Sequence, residues 1–367
     1  MKETQPYFGD EAIQKLEKCI ASTDGQILIV RGKKSFGTCG AASIIHEYLH
    51  KNSKQHIEFS EFANNPQFTD LEKGLALLKD MDFKTIVAVG GGSVIDMAKL
   101  LRFFITHEGM IETGAYIAKP TAPPSLIAIP TTAGSGSETT HFAVIYKDNI
   151  KYSVEHTDMA PDYALIYPMF TYDNPQYLTA CSGFDAFAQS IEAYWNKNAT
   201  EESDRYALKA LELLYPTILD IAKNSTVESR NKMSEGAYWA GKAINITKTT
   251  APHAFSYPFT THYGYPHGHA VALTFPAIAE YNFHSHEMPG NKKRMLAAIL
   301  KANYPNDVPT LIQSITDILG LRPSNIQHDP TLLMAGINPS RLSNNPASLS
   351  MEDCIKVLND SIGKNLY

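Results

Sequence analysis

The chain has 367 residues, of which 44% are hydrophobic, and its 38 acidic and 32 basic side chains give a formal net charge of −6. This length supports two domains with separate cores, and the net negative charge removes the electrostatic basis for binding nucleic acid or an anionic membrane. The four scattered cysteines, the lack of an apolar signal core and the lack of a membrane-length apolar run predict a cytoplasmic protein with reduced thiols.

The first half of the chain alternates strand-like and helix-like segments. Strands are predicted at 26–31, 57–59, 85–89 and 125–129, helices at 39–51, 69–79 and 93–104, and a hairpin around 142–154. This order predicts a mostly parallel sheet with helices on both faces.

The pattern changes near Pro175 and is helical from there on. Helices are predicted from residue 180 onward, with the clearest periodic patterns at 202–223, 229–246, 292–301, 308–319 and 351–362, and proline and asparagine clusters predict loops at 303–309 and 338–346. We therefore expect an α/β domain over 1–175, an α-helical domain over 176–367, and an active site in the cleft between them.

A glycine-rich turn follows the strand predicted to end at Val89. Gly91 and Gly92 let the backbone approach a ligand, and Ser93 is predicted to cap the next helix, with Asp96 completing a capping-box-like pair. The start of such a helix suits a pyrophosphate. An ordinary strand-to-helix turn is the alternative, because the dinucleotide fingerprint G-x-G-x-x-G is absent from this turn.

A second polar loop follows the strand at 125–129. The side-chain hydroxyls of Thr131, Thr132, Ser135 and Ser137 lie where α/β proteins bind ligands, at the carboxyl end of a strand, and could bond phosphate or ribose. A polar surface loop is the alternative interpretation.

Four polar side chains in the second half form a candidate metal site. Asp185 and Gln189 share one helix face because they are four residues apart, and His253 and His267 follow later in the chain. The proline and glycine beside His267 are expected to shape a turn. A carboxylate, an amide oxygen and two imidazoles suit a divalent first-row metal. Each residue alone has an ordinary structural role as its alternative, and His269 is left unassigned as a packed or supporting neighbour.

These motifs resemble those of the iron-containing (group III) alcohol dehydrogenase family. Four segments carry the resemblance in family order, namely Val89–Lys99, Ile129–Glu138, Gly183–Ala186 and Pro266–Gly268. The resemblance implies a dehydroquinate synthase-like fold, with an α/β dinucleotide-binding domain followed by an all-α metal-binding domain. It also implies a metal-dependent alcohol dehydrogenase or aldehyde reductase with Fe²⁺, or alternatively Zn²⁺, a small aldehyde or alcohol as substrate, and a possible homodimer.

The resemblance also implies which residues contact the nicotinamide cofactor. They are Gly32, Lys33, Ser35, Asn65, Gly91, Gly92, Ser93, Asp96, Thr131, Thr132, Ser135, Ser137 and Lys151. In NAD-preferring relatives an aspartate stands at the position of Gly32. Here Arg31, Lys33 and Lys34 surround that position, which favours NADP(H) over NAD(H) because cations attract a 2′-phosphate. A solvated basic turn is the alternative.

Two positions depart from the usual family pattern. Gln189 stands where a histidine is usual, which predicts weaker or differently selective metal binding because an amide oxygen is harder and less basic than imidazole. Tyr257 stands where many relatives carry a histidine near the nicotinamide. The proton would come from water, from the ribose hydroxyls or from a nearby side chain, and Tyr257 and His262 are the candidate side chains.

The substrate is the least constrained property. Gln189 and the stretches 59–66 and 253–258 resemble a branch that includes phosphonoacetaldehyde reductases, which would imply reduction of an anionic aldehyde to 2-hydroxyethylphosphonate. Lys248, Arg102 and the extra histidines are the candidates to hold the phosphonate. A simple short-chain aldehyde is the alternative. Two rival functions stay open: a dehydroquinate synthase-like lyase, and a non-catalytic binding homologue without metal.

Overall fold

The computed structural model describes residues 3–79, 81–148, 150–223, 225–324 and 326–363. The chain divides into two units, Met1–Asn174 and Pro175–Tyr367. Each unit has its own arrangement of elements and its own buried core.

The first unit alternates strands and helices. Its elements are β1 (Gln5–Phe8), α1 (Asp10–Ser22), β2 (Gln26–Arg31), α2 (Ser35–Thr38), α3 (Ala41–Lys51), β3 (His56–Phe59), α4 (Phe68–Leu78), β4 (Phe83–Gly90), α5 (Gly92–Thr106), β5 (His107–Met110), β6 (Ala115–Ala118), β7 (Ser125–Pro130), β8 (Phe142–Lys147), β9 (Ile150–Glu155) and β10 (Tyr163–Ile166). Six strands form one parallel sheet in the order β1-β10-β7-β4-β2-β3, while β5–β6 and β8–β9 are antiparallel pairs. The predicted parallel sheet and the hairpin around 142–154 are confirmed.

The central strands of this sheet are buried on both faces. Alternate residues of β2 and β4 divide between two cores, with Leu28 and Ile86 in one and Ile29 and Val87 in the other. Continuous Val, Ile and Leu runs are typical of parallel strands covered by helices on both sides. The carboxyl ends of β4 and β7, in register from Thr85↔Ser125 to Gly90↔Pro130, therefore end together at one edge of the sheet.

The second unit is helical throughout its described residues. Its α-helices are α6 (Gln176–Trp195), α7 (Glu201–Lys223), α8 (Val227–Thr247), α9 (Ala251–Tyr263), α10 (His267–His284), α11 (Gly290–Ile299), α12 (Val308–Ile318), α13 (Pro330–Ala335), α14 (Pro339–Leu342) and α15 (Met351–Ile362). Nearly every side chain of α6 from Thr179 to Trp195 is buried, so this helix forms the centre of the unit, against α7, α8 and α10. In the described part of the chain no helix is long and apolar enough to span a membrane.

Three details differ from the sequence-based predictions. Helix α5 begins at Gly92 with Gly91 at the N-cap, so the predicted cap at Ser93 is wrong. The loop predicted at 338–346 contains the one-turn helix α14, because Asn338 caps it by accepting a hydrogen bond from Arg341 N. His267 is the first residue of α10, whereas the proline and glycine beside it were expected to shape a turn.

Candidate functional site

The glycine-rich turn joins β4 directly to α5. The structure places no side-chain cap at the start of α5, so its first backbone N–H groups are not engaged by a capping side chain. Ser93 donates its hydroxyl hydrogen bond to Asn64 O, which brings the segment containing Asn65 to this turn. A helix start of this kind binds anions through its N–H groups and dipole.

The second polar loop packs directly on the glycine turn. A Cβ added at Gly92 would lie 2.7 Å from Ser135 Oγ, and one added at Gly91 would lie 3.3 Å from Thr132 Oγ1. Glycine is therefore needed for this close approach. The Thr131 hydroxyl is buried and has no hydrogen-bond partner among the described residues, which marks it as available to a bound molecule.

Asp96 and Ser137 position the two loops. Asp96 accepts hydrogen bonds from Ser137 Oγ at 2.5 Å and Val144 N at 3.0 Å, so its predicted capping pair with Ser93 does not form. The fully buried Lys99 donates to Ser137 Oγ at 3.0 Å, and burial raises the pKa of Asp96 although Lys99 and Lys151 act to lower it. These contacts tie α5 to the second loop, and the cofactor contacts of Asp96, Ser137 and Lys151 stay predictions.

The basic turn after β2 is less cationic than its sequence indicates. Arg31 donates from Nε to Glu58 Oε2 at 2.5 Å, and His46 Nε2 lies 2.8 Å from Glu58 Oε1. The Arg31 charge is therefore already paired, while Lys33 and Lys34 are exposed. The NADP(H) prediction then depends on these two lysines.

One face of α6 carries three buried side chains with a carboxylate or amide group. Asp185, Gln189 and Glu192 follow the spacing i, i+4 and i+7 and are each at most 5% exposed. Burying such groups is costly unless they are bonded. Gln189 Oε1 nevertheless has no hydrogen-bond partner among the described residues.

This face of α6 meets the two histidines. The ligand atoms of Asp185, His253 and His267 all lie within 4.8 Å of one another, with His253 Nε2 3.1 Å and His267 Nε2 4.0 Å from Asp185 Oδ1. His253 is buried, whereas the His267 side chain is 36% exposed, so a substrate can reach the group from that side. An ion here would also satisfy the orphaned oxygen of Gln189, and the donor set fits a divalent first-row metal.

Glu192, which the sequence analysis did not assign, orients His253. Its Oε2 bonds His253 Nδ1, and its Oε1 accepts from Thr250 N at 2.9 Å and Thr250 Oγ1 at 3.0 Å. Burial opposes charge on His253, but Glu192 and Asp185 outweigh it and raise the pKa of His253 to about 9. The site thus attracts positive charge. The i+7 spacing from Asp185 is the sequence signal that would have found Glu192.

Two glycines in the candidate metal motifs permit close packing between helices. A Cβ at Gly268 would overlap the carbonyl oxygen of Cys181, and one at Gly183 would overlap the methyl of Met233. Gly268 therefore lets the start of α10 touch α6, which sets His267 beside Asp185. Gly183 lets α6 pack closely against α8.

The remaining candidates fall into different places. Tyr257 is half-buried and lies one turn after His253. His262 is exposed and lies roughly 13 Å from His253 along the axis of α9, a position that does not support a proton-donor role. His269 is held between Tyr177 Oη at 2.7 Å and Arg322 O at 2.9 Å, which makes it a packed residue. Arg102 is buried against Asp162 at 3.2 Å, so it is a structural residue, unlike the phosphonate ligand that was expected.

Two family models match the chain. The model described as iron-containing alcohol dehydrogenase matches residues 4–168, and the model of the Fe-containing alcohol dehydrogenase family C-terminal domain matches residues 179–362. Together they include all of the segments that carry the sequence resemblance.

Named relatives and solved structures agree with this assignment. The chain is 30% identical to 1,3-propanediol dehydrogenase of Klebsiella pneumoniae over 75% of its own length and 73% of the relative's. It is 31% identical to long-chain-alcohol dehydrogenase 1 of Geobacillus thermodenitrificans, where the match spans 61% of this chain and 58% of that protein.

Among solved structures, an alcohol dehydrogenase from Oenococcus oeni superposes with a TM-score of 0.89 at 26% identity, covering 98% of both chains. Sulfoacetaldehyde reductase from Bifidobacterium kashiwanohense in complex with NAD⁺ superposes with a TM-score of 0.87 at 25% identity, covering 99% of this chain and 98% of that one. The two family models, together with the fold, establish one conclusion: the chain belongs to the iron-containing alcohol dehydrogenase family of oxidoreductases.

Proposed function

We propose that this protein is a metal-dependent, NAD(P)H-linked reductase of small aldehydes that also runs in the alcohol-oxidising direction. The observation that carries the proposal is the group of Asp185, His253 and His267, of which the first two are buried, with the unpartnered oxygen of Gln189 on the same helix as Asp185. In the reductive direction the carbonyl carbon gains a hydride from the reduced nicotinamide and the oxygen gains a proton, which yields the alcohol and NAD(P)⁺.

Asp185, Gln189, His253 and His267 would hold Fe²⁺, with Zn²⁺ as the alternative ion. A bound divalent ion supplies Lewis-acid polarisation of the substrate oxygen. The neighbouring residues prepare this set: Glu192 takes the hydrogen bond from His253 Nδ1, which leaves the Nε2 lone pair free for the ion. Gly268 keeps His267 next to Asp185.

The turn at Gly91 and Gly92 would bind the cofactor pyrophosphate through backbone N–H groups, with the Thr131 hydroxyl as a further contact. Thr132, Ser135, Asn65 and Lys151 remain proposed cofactor contacts around this turn. We further propose NADP(H) as the preferred cofactor, because Gly32 adds no carboxylate and the exposed side chains of Lys33 and Lys34 add two cations next to it in the chain.

Tyr257 Oη is the proposed holder of the proton that the substrate oxygen takes up. Tyr257 lies one helical turn after His253 and therefore shares its face of α9. His262, the second candidate, lies on a later turn and is exposed. A homodimer is retained as a proposal on the family resemblance alone.

The proposed substrate is phosphonoacetaldehyde or a close anionic analogue. The stretch from His253 to Pro258 and the glutamine at 189 resemble the phosphonoacetaldehyde reductase branch. The name of the Bifidobacterium structure, sulfoacetaldehyde reductase, adds a second anionic two-carbon aldehyde to the same fold at 25% identity. Both compounds carry a tetrahedral oxyanion next to the reacting two-carbon unit.

The test is a nicotinamide absorbance assay with phosphonoacetaldehyde, sulfoacetaldehyde and propionaldehyde, each with NADPH and NADH, on protein whose metal content has been measured. We expect aldehyde-dependent oxidation of the reduced cofactor that is lost with the metal. Metal-loaded protein that oxidises neither cofactor with any of the aldehydes would contradict the proposal and favour the lyase or the binding homologue.

A further inference from the structure

Lys248 has an unusual backbone conformation. Its φ is 63° and its ψ is −174°, a region that glycine occupies freely and other residues occupy only under strain. Glycine at this position would relieve that strain, yet the chain carries a long cationic side chain. Strain of this kind persists where the surrounding structure enforces it, and it is concentrated at functional sites.

Several hydrogen bonds hold Lys248 in this conformation. Its N–H donates to Ile244 O at 2.8 Å, and its carbonyl accepts from Thr247 Oγ1 at 2.7 Å and from Asn196 Nδ2 at 3.2 Å. On the following residue, Thr249 O accepts from Asn344 Nδ2 at 3.0 Å. The position of Lys248 is thus set by the fold on both sides.

The same segment leads directly into the candidate metal ligands Asp185, Gln189, His253 and His267, here called the metal group. Thr250, two residues after Lys248, bonds Glu192 through both its N–H and its hydroxyl, and Glu192 in turn holds His253. Lys248 is the only lysine or arginine between Lys242 and Lys292, the stretch that contains both candidate histidine ligands. Its backbone is therefore anchored to the metal group through a short chain of bonded residues.

The charge of the metal group explains the need for such a cation. A divalent ion together with the carboxylates of Asp185 and Glu192 sums to no net charge, so this group gives little attraction to an anionic substituent. An ammonium group is a good point-charge partner for a phosphoryl-type oxyanion.

We propose that Lys248 binds the tetrahedral oxyanion, phosphonate or sulfonate, of the aldehyde substrate and so determines the specificity for anionic aldehydes. This inference rests on the proposed reductase function. It assigns Lys248 a role in substrate binding and assigns it none in proton or hydride transfer.

The kinetic test compares kcat/KM for phosphonoacetaldehyde with kcat/KM for propionaldehyde. One charge-assisted hydrogen bond corresponds to about a tenfold to hundredfold preference. We expect Lys248→Met to lower the ratio of the two values by that factor and Lys248→Arg to recover part of it. Lys242→Met is the matched control, because Lys242 is also half-buried and lies over the ring of Tyr206, and it should keep the wild-type ratio.

A binding test decides the point independently of turnover. Calorimetry on metal-loaded wild type and Lys248→Met would use 2-hydroxyethylphosphonate in one arm and 2-hydroxyethanesulfonate in the other. We expect about tenfold or greater loss of affinity in the variant for at least one of them, and the arm with tighter wild-type binding identifies the oxyanion. Equal affinities in both proteins, or no binding of either compound by wild type, would overturn the assignment.

Lys248→Gly separates the side chain from the fold. Glycine relieves the backbone strain, so we expect a melting temperature a few degrees higher together with the same loss of specificity as in Lys248→Met. A lower or unchanged melting temperature would contradict the strain argument. If wild type reduces no aldehyde, the reductase proposal fails, and the calorimetry still decides whether Lys248 binds an oxyanion.

Discussion

At the scale of single residues, Gln189 is the most informative position of the metal group. By sequence resemblance it stands where relatives usually carry a histidine, and its Oε1 is buried without a hydrogen-bond partner among the described residues. A buried carbonyl-type oxygen without a hydrogen-bond partner destabilises the folded protein by roughly 1–3 kcal/mol. A cation bound to this oxygen would remove that cost. The substitution therefore points to a changed ligand and gives no evidence of a lost site.

We expect Gln189→His to tighten metal retention, because imidazole binds first-row metals more firmly than an amide oxygen. Competition with a graded series of chelators measures the change in affinity. Gln313→His, on the half-exposed surface of α12, is the matched control and should leave metal affinity unchanged. Equal metal retention in Gln189→His and wild type would show that the Gln189 side chain is turned away from the ion.

The preference between NADPH and NADH is also predicted at the scale of single residues. Because Arg31 is paired with Glu58, the proposed preference for NADP(H) depends on the two exposed lysines Lys33 and Lys34, and exposed charges of this kind contribute up to about 1 kcal/mol each. We expect NADPH to exceed NADH in kcat/KM by about fivefold to tenfold.

Gly32→Asp should erase or reverse that preference, because its carboxylate repels a 2′-phosphate and can accept a hydrogen bond from a ribose hydroxyl. A Cβ at Gly32 crowds Ser35 Oγ, which can rotate away. Gly32→Ala is therefore the control for crowding. Paired kinetics with both reduced cofactors measure the change, and a Gly32→Asp ratio equal to that of Gly32→Ala would reject the role of this turn.

At the scale of elements, glycine positions decide whether the metal group assembles. A methyl group at Gly268 would overlap the Cys181 carbonyl oxygen, so α10 would have to move away from α6. We expect Gly268→Ala to lower the free energy of unfolding by about 3 kcal/mol, the upper part of the range for overpacking, and to weaken metal binding.

Gly290→Ala is the matched control for Gly268→Ala. Gly290 opens α11, and a Cβ there would only approach the end of the Arg294 side chain at 3.4 Å. Denaturant unfolding and metal retention should therefore be close to wild type in this control. Equal stability of the two variants would show that the contact between α10 and α6 is less tight than described.

The loop after β7 gives a prediction on pH. Burial raises the pKa of Glu138 to about 7, despite nearby Lys99, whereas the unfolded chain has an ordinary glutamate. The folded protein therefore keeps this proton as pH rises, so the contribution of Glu138 to the free energy of unfolding falls between about pH 4.5 and 7. The total decrease in the free energy of unfolding that Glu138 causes is at most about 3 kcal/mol.

Glu138→Gln should remove that penalty. We expect the free energy of unfolding of the variant to exceed that of wild type above pH 7. This difference should shrink as the pH falls toward the pKa of an ordinary glutamate. Urea unfolding across this range is the measurement, with Glu72→Gln on the exposed face of α4 as the control. A difference that does not depend on pH would contradict the assigned burial effect.

The elements that could be predicted are those with a local pattern. The buried strands β2, β4 and β7 are continuous apolar runs, so periodicity and length reveal them. The edge strand β1 has only four residues and pairs with β10 far along the chain, so nothing local indicates either strand. Helix α1 was predictable from the buried residues Ala12, Leu16 and Ile20 at i, i+4 and i+8.

At the scale of the whole molecule, the order of motifs identified the family, and the family models confirm it. The candidate metal ligands could be proposed as a set because their residue types carry the chemistry, and Asp185, His253 and His267 lie together in the structure. The residues that orient these ligands could not be predicted, since the bonds of Glu192 to Thr250 and His253 join residues about 60 positions apart. The paired state of Arg31 was likewise hidden, because Glu58 lies on the neighbouring strand.

The central claim is that one ion per chain, held by Asp185, Gln189, His253 and His267, is required for aldehyde reduction. The most direct measurement is a titration of chelator-stripped protein with Fe²⁺, following aldehyde-dependent oxidation of NADPH. His284→Ala, an exposed histidine at the other end of α10, is the control for His267→Ala. Activity should be absent at the start, rise with added ion, and stop rising at one ion per chain in wild type and the control, while His267→Ala stays inactive. Activity in stripped protein, or full activity in His267→Ala, would contradict the account.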